Sequence, residues 1–325
     1  MERVNEQEIN LRISKFQQLL QEKDVDVAVI VQRADLYYLT GTGQNAHLLV
    51  PAQGQATLLV RKSFDRAREE SPLANVLPLR SIKELPEYLG NSKCIGMELD
   101  VLPVNLFQRY QSMLPEAKFC DISNLIRQVR MIKSEYELRQ LHKAADIMDT
   151  VIVNVPRLLR PGITELALAG ELEGIARSHG SQGYNRLRSF NQENNFVHLF
   201  SGANAAYPSF FDGATGGIGA NPSFPQGPCL DPIVPGTPII IDIAFGYNGY
   251  IMDQTRVFSL GKIEEFFHDA YKKALEIQEL VVAKAIPGMS TGELYALALD
   301  KVKAMGLGDN YMGYVPDQAS FIAHG

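Results

Sequence analysis

One segment constrains the fold of this chain more than any other. Residues 239–258 read IIIDIAFGYNGYIMDQTRVF, two runs rich in apolar and β-branched residues that flank Asn248-Gly249. Asn-Gly between such runs favours the tight turn of a β-hairpin. The sequence therefore predicts two antiparallel strands joined at this turn.

The predicted hairpin carries two carboxylates, Asp242 and Asp253. A turn centred on 247–248 would place them directly opposite each other, whereas a turn on 248–249 would place them diagonally. Because strand side chains alternate with a period of two, both registers leave the two carboxylates on one face.

The sequence around Asp242 is apolar at every position from Ile239 to Phe245, a pattern typical of strands covered on both faces. We therefore expect the two carboxylates to be buried, where an unpaired negative charge is costly. A divalent cation between them would neutralise the pair. Two alternatives stay open: one Asp could be protonated, or Arg256 could pair with one, although its position in the strand points it to the other face.

The first ~125 residues alternate helical and strand patterns, as α/β layers do. An apolar stripe from Ile9 to Leu20 has helical spacing. Strands are predicted at 24–32 and 93–100, and a hairpin at 47–60.

The pattern changes near residue 131. A long helix is predicted from Ser134, which forms a capping-box pattern with Glu137. Two later junctions, at 160–166 and 286–294, each carry Pro-Gly, a hydroxyl residue that can cap a helix, and Glu-Leu. Such a repeat indicates a pseudo-two-fold domain, unless Pro-Gly is only ordinary helix punctuation. The Gly/Pro-rich stretch 210–238 is predicted to be irregular, either a surface loop or the wall of a site.

Composition excludes several classes of function. The 325 residues have a net charge of -6 and no basic block, which argues against a nucleic-acid partner. Three cysteines without CxxC spacing argue against a disulfide framework or a thiolate zinc site. Neither a signal-peptide pattern nor an apolar run long enough to span a membrane occurs, so we expect a cytoplasmic protein.

The hairpin resembles the D-x-G…GY-x-x-D-x-TR-x-F signature of the creatinase, prolidase and aminopeptidase P proteins, an M24-type metallopeptidase family. Ala244 stands where the signature has its first Gly, a minor departure. Other stretches of the chain are similar to parts of the same family: YLTG at 38–41, IGME at 95–98, RMIKSEYE at 130–137 and SGANAA at 201–206.

This resemblance implies a creatinase-like α/β N-terminal domain, residues 1–128, and an α+β pita-bread catalytic domain, residues 129–325, incomplete at its C-terminus. It implies a site for two divalent ions (Mn, Co or Zn) held by two Asp, one His and two Glu. Asp242 and Asp253 match the two Asp, and His324 is predicted to be the third metal ligand. A homodimer is also implied.

Two departures bear on activity. The chain ends at Gly325, directly after His324, and the family's two Glu ligands would lie further on, so we expect the chain as written to be inactive or nearly so. Peptidases of the family carry a His soon after the SGxNAA stretch, whereas here Tyr207-Pro208-Ser209 follows. His198 is the nearest replacement as a substrate-binding residue; its alternative is a strand histidine with a structural hydrogen bond.

The resulting functional prediction is a metal-dependent hydrolase resembling Xaa-Pro aminopeptidase or prolidase. It would cleave the bond between an N-terminal residue and proline with a metal-activated water. One alternative is a creatinase-like hydrolase or lyase acting on a small molecule, and another is a non-catalytic relative of the same fold. No catalytic side chain beyond the ligands is assigned.

Overall fold

The computed structural model describes residues 2–183, 185–188, 190–193, 196–211, 213, 215–308 and 311. The chain divides into two compact units. The first comprises Met1–Gln140 with Leu187–Asn191, and the second comprises Leu141–Arg186 with Gln192–Gly325.

The first unit contains a six-stranded sheet in the order β4-β3-β2-β1-β5-β6. β2 runs antiparallel to its neighbours β1 and β3, while β1–β5, β5–β6 and β3–β4 are parallel pairs. The strands are β1 (Val27–Ile30), β2 (Ala46–Pro51), β3 (Thr57–Val60), β4 (Asn75–Pro78), β5 (Cys94–Met97) and β6 (Lys118–Asp121).

Helices precede, connect and follow these strands, except that β2 runs into β3 without one. They are α1 (Glu6–Glu22), α2 (Arg33–Thr40), α3 (Phe64–Glu70), α4 (Leu85–Leu89), α5 (Val104–Met113) and α6 (Ser123–Met131). α1 buries Ile9, Ile13, Phe16 and Leu20, the stripe that its sequence predicts. All four residues of β1 and the first five of β2 are buried, so the centre of this sheet is covered on both faces.

The second unit is built from helices and a three-stranded antiparallel sheet in the order β7-β8-β9. α7 (Glu135–Leu158) begins in the first unit and continues here, and it is followed by α8 (Glu165–Ser178). The strands are β7 (Val197–Ser201), β8 (Pro238–Tyr247) and β9 (Tyr250–Ser259), and the final two described helices are α9 (Glu265–Lys284) and α10 (Thr291–Ala304).

The core of the second unit lies on one face of this sheet. Alternate residues of β8 (Ile239, Ile241, Ile243 and Phe245) pack with apolar residues of α7 and α8. The side chains between them, including Ile240 and Asp242, face the other way and are half-buried. That second face carries the candidate site.

The predicted helix starts are confirmed. Ser134 Oγ accepts from Glu137 N at 3.2 Å while Glu137 Oε2 accepts from Ser134 N at 3.0 Å. Thr164 caps α8, and Ser290 forms a capping box at α10. Among the described helices, none combines the length and apolar character needed to cross a membrane.

Candidate functional site

The hairpin adopts the diagonal register. Asn248 (φ 49°) and Gly249 (φ 86°) both occupy the left-handed region, as a type I′ turn requires. Tyr247 therefore pairs with Tyr250, and the ladder continues to Asp242 opposite Thr255 and Ala244 opposite Asp253. Asp242 and Asp253 lie on the same face of the sheet, two positions apart in register.

The prediction that both carboxylates are buried is wrong. Asp242 is half-buried and Asp253 is exposed in the described structure. β9 is exposed or half-buried along its whole length, so its residues form an open border to this face. Burial therefore does not force a cation between the two carboxylates; what remains is their convergence on one accessible face.

Asp242 has a hydrogen-bond donor in the neighbouring strand. Thr255 Oγ1 donates to Asp242 Oδ1 at 2.5 Å, which fixes the orientation of the carboxylate. Arg256 lies opposite Ile241, so it belongs to the face of the sheet that does not carry Asp242. Its guanidinium donates to the Thr255 carbonyl. The role of Thr255 was not predicted, although its spacing of two from Asp253 places it on the same face.

His198 lies directly beside this pair. It is the β7 residue opposite Asp242, so the imidazole projects from the same face of the sheet. His198 is only 4% exposed. Burial lowers its pKa to about 4, and the Asp253 carboxylate opposes that change only in part. The imidazole is therefore neutral near pH 7.

The surroundings of His198 come from residues that the sequence did not single out. The buried Gln226 places its amide nitrogen 3.3 Å from His198 Nε2. Phe200 and Phe211 pack edge-on against the imidazole. Gln226 and Phe211 belong to the Gly/Pro-rich stretch, which supplies one side of the histidine pocket.

Glu165 joins the SGANAA stretch to Cys229 of the Gly/Pro-rich stretch. Its carboxylate is buried and accepts from Ser201 N and Asn204 Nδ2, each at 2.6 Å, and from Cys229 N at 2.9 Å. Three donors compensate the burial of this carboxylate. The first residue of α8 thus holds in place the turn that follows β7.

Two of the three predicted metal ligands lie within the described residues. Asp242 and Asp253 supply oxygen donors on an accessible face, the ligand type that hard divalent cations prefer. His324 lies outside the described residues. Within the ranges that the structure covers, no group of three or more His, Cys, Asp or Glu side chains is placed to hold a metal ion. The two carboxylates therefore fit part of a divalent-cation site.

Comparison with known proteins identifies both parts of the chain. Residues 12–132 match the creatinase/prolidase N-terminal domain, and residues 139–325 match metallopeptidase family M24. The Xaa-Pro dipeptidase of Pyrococcus furiosus is 25% identical over 304 residues, which cover 93% of this chain and 79% of that protein.

Solved structures agree with these matches. The prolidase from Pyrococcus furiosus superposes with a TM-score of 0.74 at 25% identity, covering 91% of this chain and 80% of its own. An Xaa-Pro dipeptidase from Bacillus anthracis gives a TM-score of 0.78 at 20% identity, covering 93% of this chain and 79% of its own, and so shows the fold alone. The predicted combination of a creatinase-like N-terminal domain and a pita-bread domain is confirmed.

Proposed function

This chain belongs to metallopeptidase family M24, and from that premise we propose that it is a metal-dependent hydrolase of small peptides with proline in the second position. The observation that carries the proposal is the placement of Asp242 and Asp253 on one accessible face, next to His198. The names of the relatives, Xaa-Pro dipeptidase and prolidase, support the substrate class.

Asp242, Asp253 and His324 are the side chains that would hold the metal. We propose two divalent ions, with Mn, Co and Zn all compatible with oxygen donors and one imidazole. A bound divalent ion supplies Lewis acidity, which polarises a scissile carbonyl and lowers the pKa of water. Thr255 holds the Asp242 carboxylate in one orientation, as residues around metal ligands commonly do.

His198 is proposed to contact the substrate. Its neutral imidazole can donate one hydrogen bond without adding charge beside Asp242. In the orientation of the Gln226 side chain, its amide nitrogen donates to His198 Nε2. The hydrogen of the imidazole therefore lies on Nδ1. Because Tyr207-Pro208-Ser209 follows the SGANAA stretch, this imidazole would take over the contact that a later histidine makes in the family's peptidases.

The test is a turnover assay of the full-length protein, first stripped of metal with a chelator and then supplied with Mn²⁺, Co²⁺ or Zn²⁺. We expect metal-dependent hydrolysis of the dipeptides Ala-Pro and Leu-Pro, or of tripeptides that begin with Xaa-Pro. Hydrolysis of the dipeptide Leu-Ala should be much slower. Elemental analysis of the purified protein would give the metal and its stoichiometry. Hydrolysis of creatine in place of peptides, or no bound metal and no turnover, would contradict the proposal.

After SGANAA the chain continues with Tyr207-Pro208-Ser209, where peptidases of the family carry a His. This difference also favours a second candidate, a non-peptidase hydrolase or lyase of this fold. Such an enzyme would retain metal dependence but leave Xaa-Pro bonds intact, so the same assay separates the two. We further propose that the protein is cytoplasmic and forms a homodimer. Light scattering of the purified protein at several concentrations would test the dimer.

A further inference from the structure

The first unit contains a cleft lined by its own residues. It has a volume of about 460 Å³, within the range of roughly 300–1,000 Å³ common for small-molecule sites. Its lining includes the residues that directly follow three strands: Val31 after β1, Arg61 after β3 and Glu98 after β5. The cleft thus opens at the carboxyl ends of these strands.

Strand order makes this position significant. From β1 the chain adds β2, β3 and β4 on one side, and it later adds β5 and β6 on the other side. β1 and β5 are parallel neighbours, so the order reverses between them. In open α/β sheets, ligands bind in the crevice at the carboxyl ends of the strands where the order reverses.

The cleft is strongly cationic. Arg33, Arg61 and Arg109 line it, and none has a carboxylate partner among the described residues. Among the described residues that line the cleft, Glu98 is the one that is acidic. Burial, reinforced by the neighbouring Asp35 carboxyl, raises the pKa of Glu98 to about 8. At neutral pH it therefore does not cancel the three guanidinium charges.

A buried polar atom also lacks a partner at this cleft. His47 is 6% exposed and lines the cleft beside Tyr110. Its Nε2 lies 2.8 Å from the Tyr110 hydroxyl, whereas its Nδ1 is buried with no hydrogen-bond partner in the described part of the chain. When Tyr110 donates to Nε2, Nδ1 carries a hydrogen. Buried donors are normally satisfied, so a ligand acceptor that reached Nδ1 from the cleft would remove the cost of leaving this donor unpaired.

Part of the remaining lining is apolar, although Gln32, Gln44 and Asn45 also contribute to it. Leu36, Leu102 and Leu106 line the cleft together with Ile82. A free inorganic ion would leave these side chains without contacts, whereas an organic anion would place its charge on the arginines and its hydrocarbon body on the leucines.

We propose that this cleft binds a small organic anion, a phosphate monoester or carboxylate whose apolar body packs against the leucines while Arg61 and Arg109 hold the charge. Guanidinium groups suit both anions because their donors match two oxygens at once. The inference does not depend on the proposed peptidase activity.

The test is calorimetric titration of the metal-free full-length protein with phenyl phosphate, phenylacetate and the uncharged benzyl alcohol. We expect at least one anion to bind at millimolar or lower concentration, and benzyl alcohol to bind much more weakly. Arg61→Ala and Arg109→Ala should each weaken the binding about tenfold, equivalent to about 1.4 kcal/mol. Arg66→Ala is the matched control, since Arg66 is an exposed arginine that pairs with Glu70 outside the cleft lining.

The anion that binds shows whether the ligand of the cleft is a phosphate monoester or a carboxylate. Either result supports the site. The proposal is overturned if neither anion binds, if benzyl alcohol binds as tightly, or if Arg66→Ala weakens binding as much as the cleft variants. Circular dichroism of each variant, all at exposed positions, verifies that the fold is retained.

Discussion

The two sheets of this protein differ in how many of their faces are covered, and their carboxyl groups differ accordingly. At the centre of the six-stranded sheet, consecutive residues such as Leu48 and Leu49 are both buried. In β8 of the three-stranded sheet, Ile241 is buried but Ile240 is only half-buried. Carboxyl groups follow this difference: burial drives Glu98, directly after β5 of the covered sheet, toward its neutral form, whereas Asp253 on the open face is in contact with solvent.

A run of apolar residues in the sequence therefore does not by itself reveal how many faces of a strand are covered. The open face leaves the Asp253 carboxylate accessible to a cation, while the covered sheet cannot hold an ionised group without a partner. Four sets of substitutions test this distinction.

The largest expected effect is on activity. Asp242→Asn in the full-length protein should reduce turnover by on the order of 10³-fold, about 4 kcal/mol of transition-state stabilisation, and should weaken metal binding. The amide keeps the size of the side chain but loses the charge. Turnover and bound metal are measured together, with Asp269→Asn as the control because Asp269 is an exposed residue of α9. Equal activity in the two variants would remove Asp242 from the metal site.

Truncation of neighbouring residues tests the faces directly. Leu48→Ala and Leu49→Ala should each destabilise the first unit by about 3 kcal/mol, because both side chains are buried. Ile241→Ala should cost the second unit a similar amount, but Ile240→Ala should cost less than about 1.5 kcal/mol. Native-state hydrogen exchange of strand amides measures each unit separately. Similar losses for the two isoleucines would show that β8 is covered on both faces.

The neutral carboxyl of the covered sheet predicts a dependence on pH. The pKa of Glu98 is about 8 in the folded protein against an ordinary value of 4.5. Between these values the folded state binds more protons than the unfolded state, so the contribution of Glu98 to stability is complete below pH 4.5 and is lost as pH rises toward 8. Glu98→Gln should remove this loss, by at most about 1.4 kcal/mol per pH unit.

Urea unfolding of the wild type and Glu98→Gln at several pH values from 4.5 to 8 measures this slope. Glu116→Gln, an exposed carboxyl of the same unit, is the matched control. A parallel pH profile for the wild type and Glu98→Gln would contradict the assignment of a neutral buried carboxyl.

The smallest effect concerns the turn that sets the open face. Gly249→Ala places a side chain at φ 86° and should destabilise the second unit by about 1 kcal/mol. Gly170→Ala, within α8 and with open space around the added carbon, should instead stabilise it by about 0.5–1 kcal/mol. Thermal unfolding followed by circular dichroism compares the two, and a shift of the same sign in both would argue against the I′ turn.

Local signals explain what the sequence could predict. The Asn-Gly turn, the shared face of Asp242 and Asp253, and the caps at Ser134 and Ser290 all depend on residues close together in the chain. The exposure of Asp253 could not be predicted, because it depends on which layers cover the sheet. Gln226 reaches His198 from an irregular stretch that has no periodicity to interpret.

The I′ turn has a consequence for how such a gene can vary in length. If the loop remains a two-residue turn, a single codon inserted between positions 247 and 250 would shift β9 by one residue against β8, which sends the Asp253 side chain toward the α7–α8 layer. Added codons in the irregular 210–238 stretch leave that parity unchanged. Homologous genes that keep a working site should therefore reject insertions in the turn and tolerate them in the 210–238 stretch away from Phe211, Gln226 and Cys229.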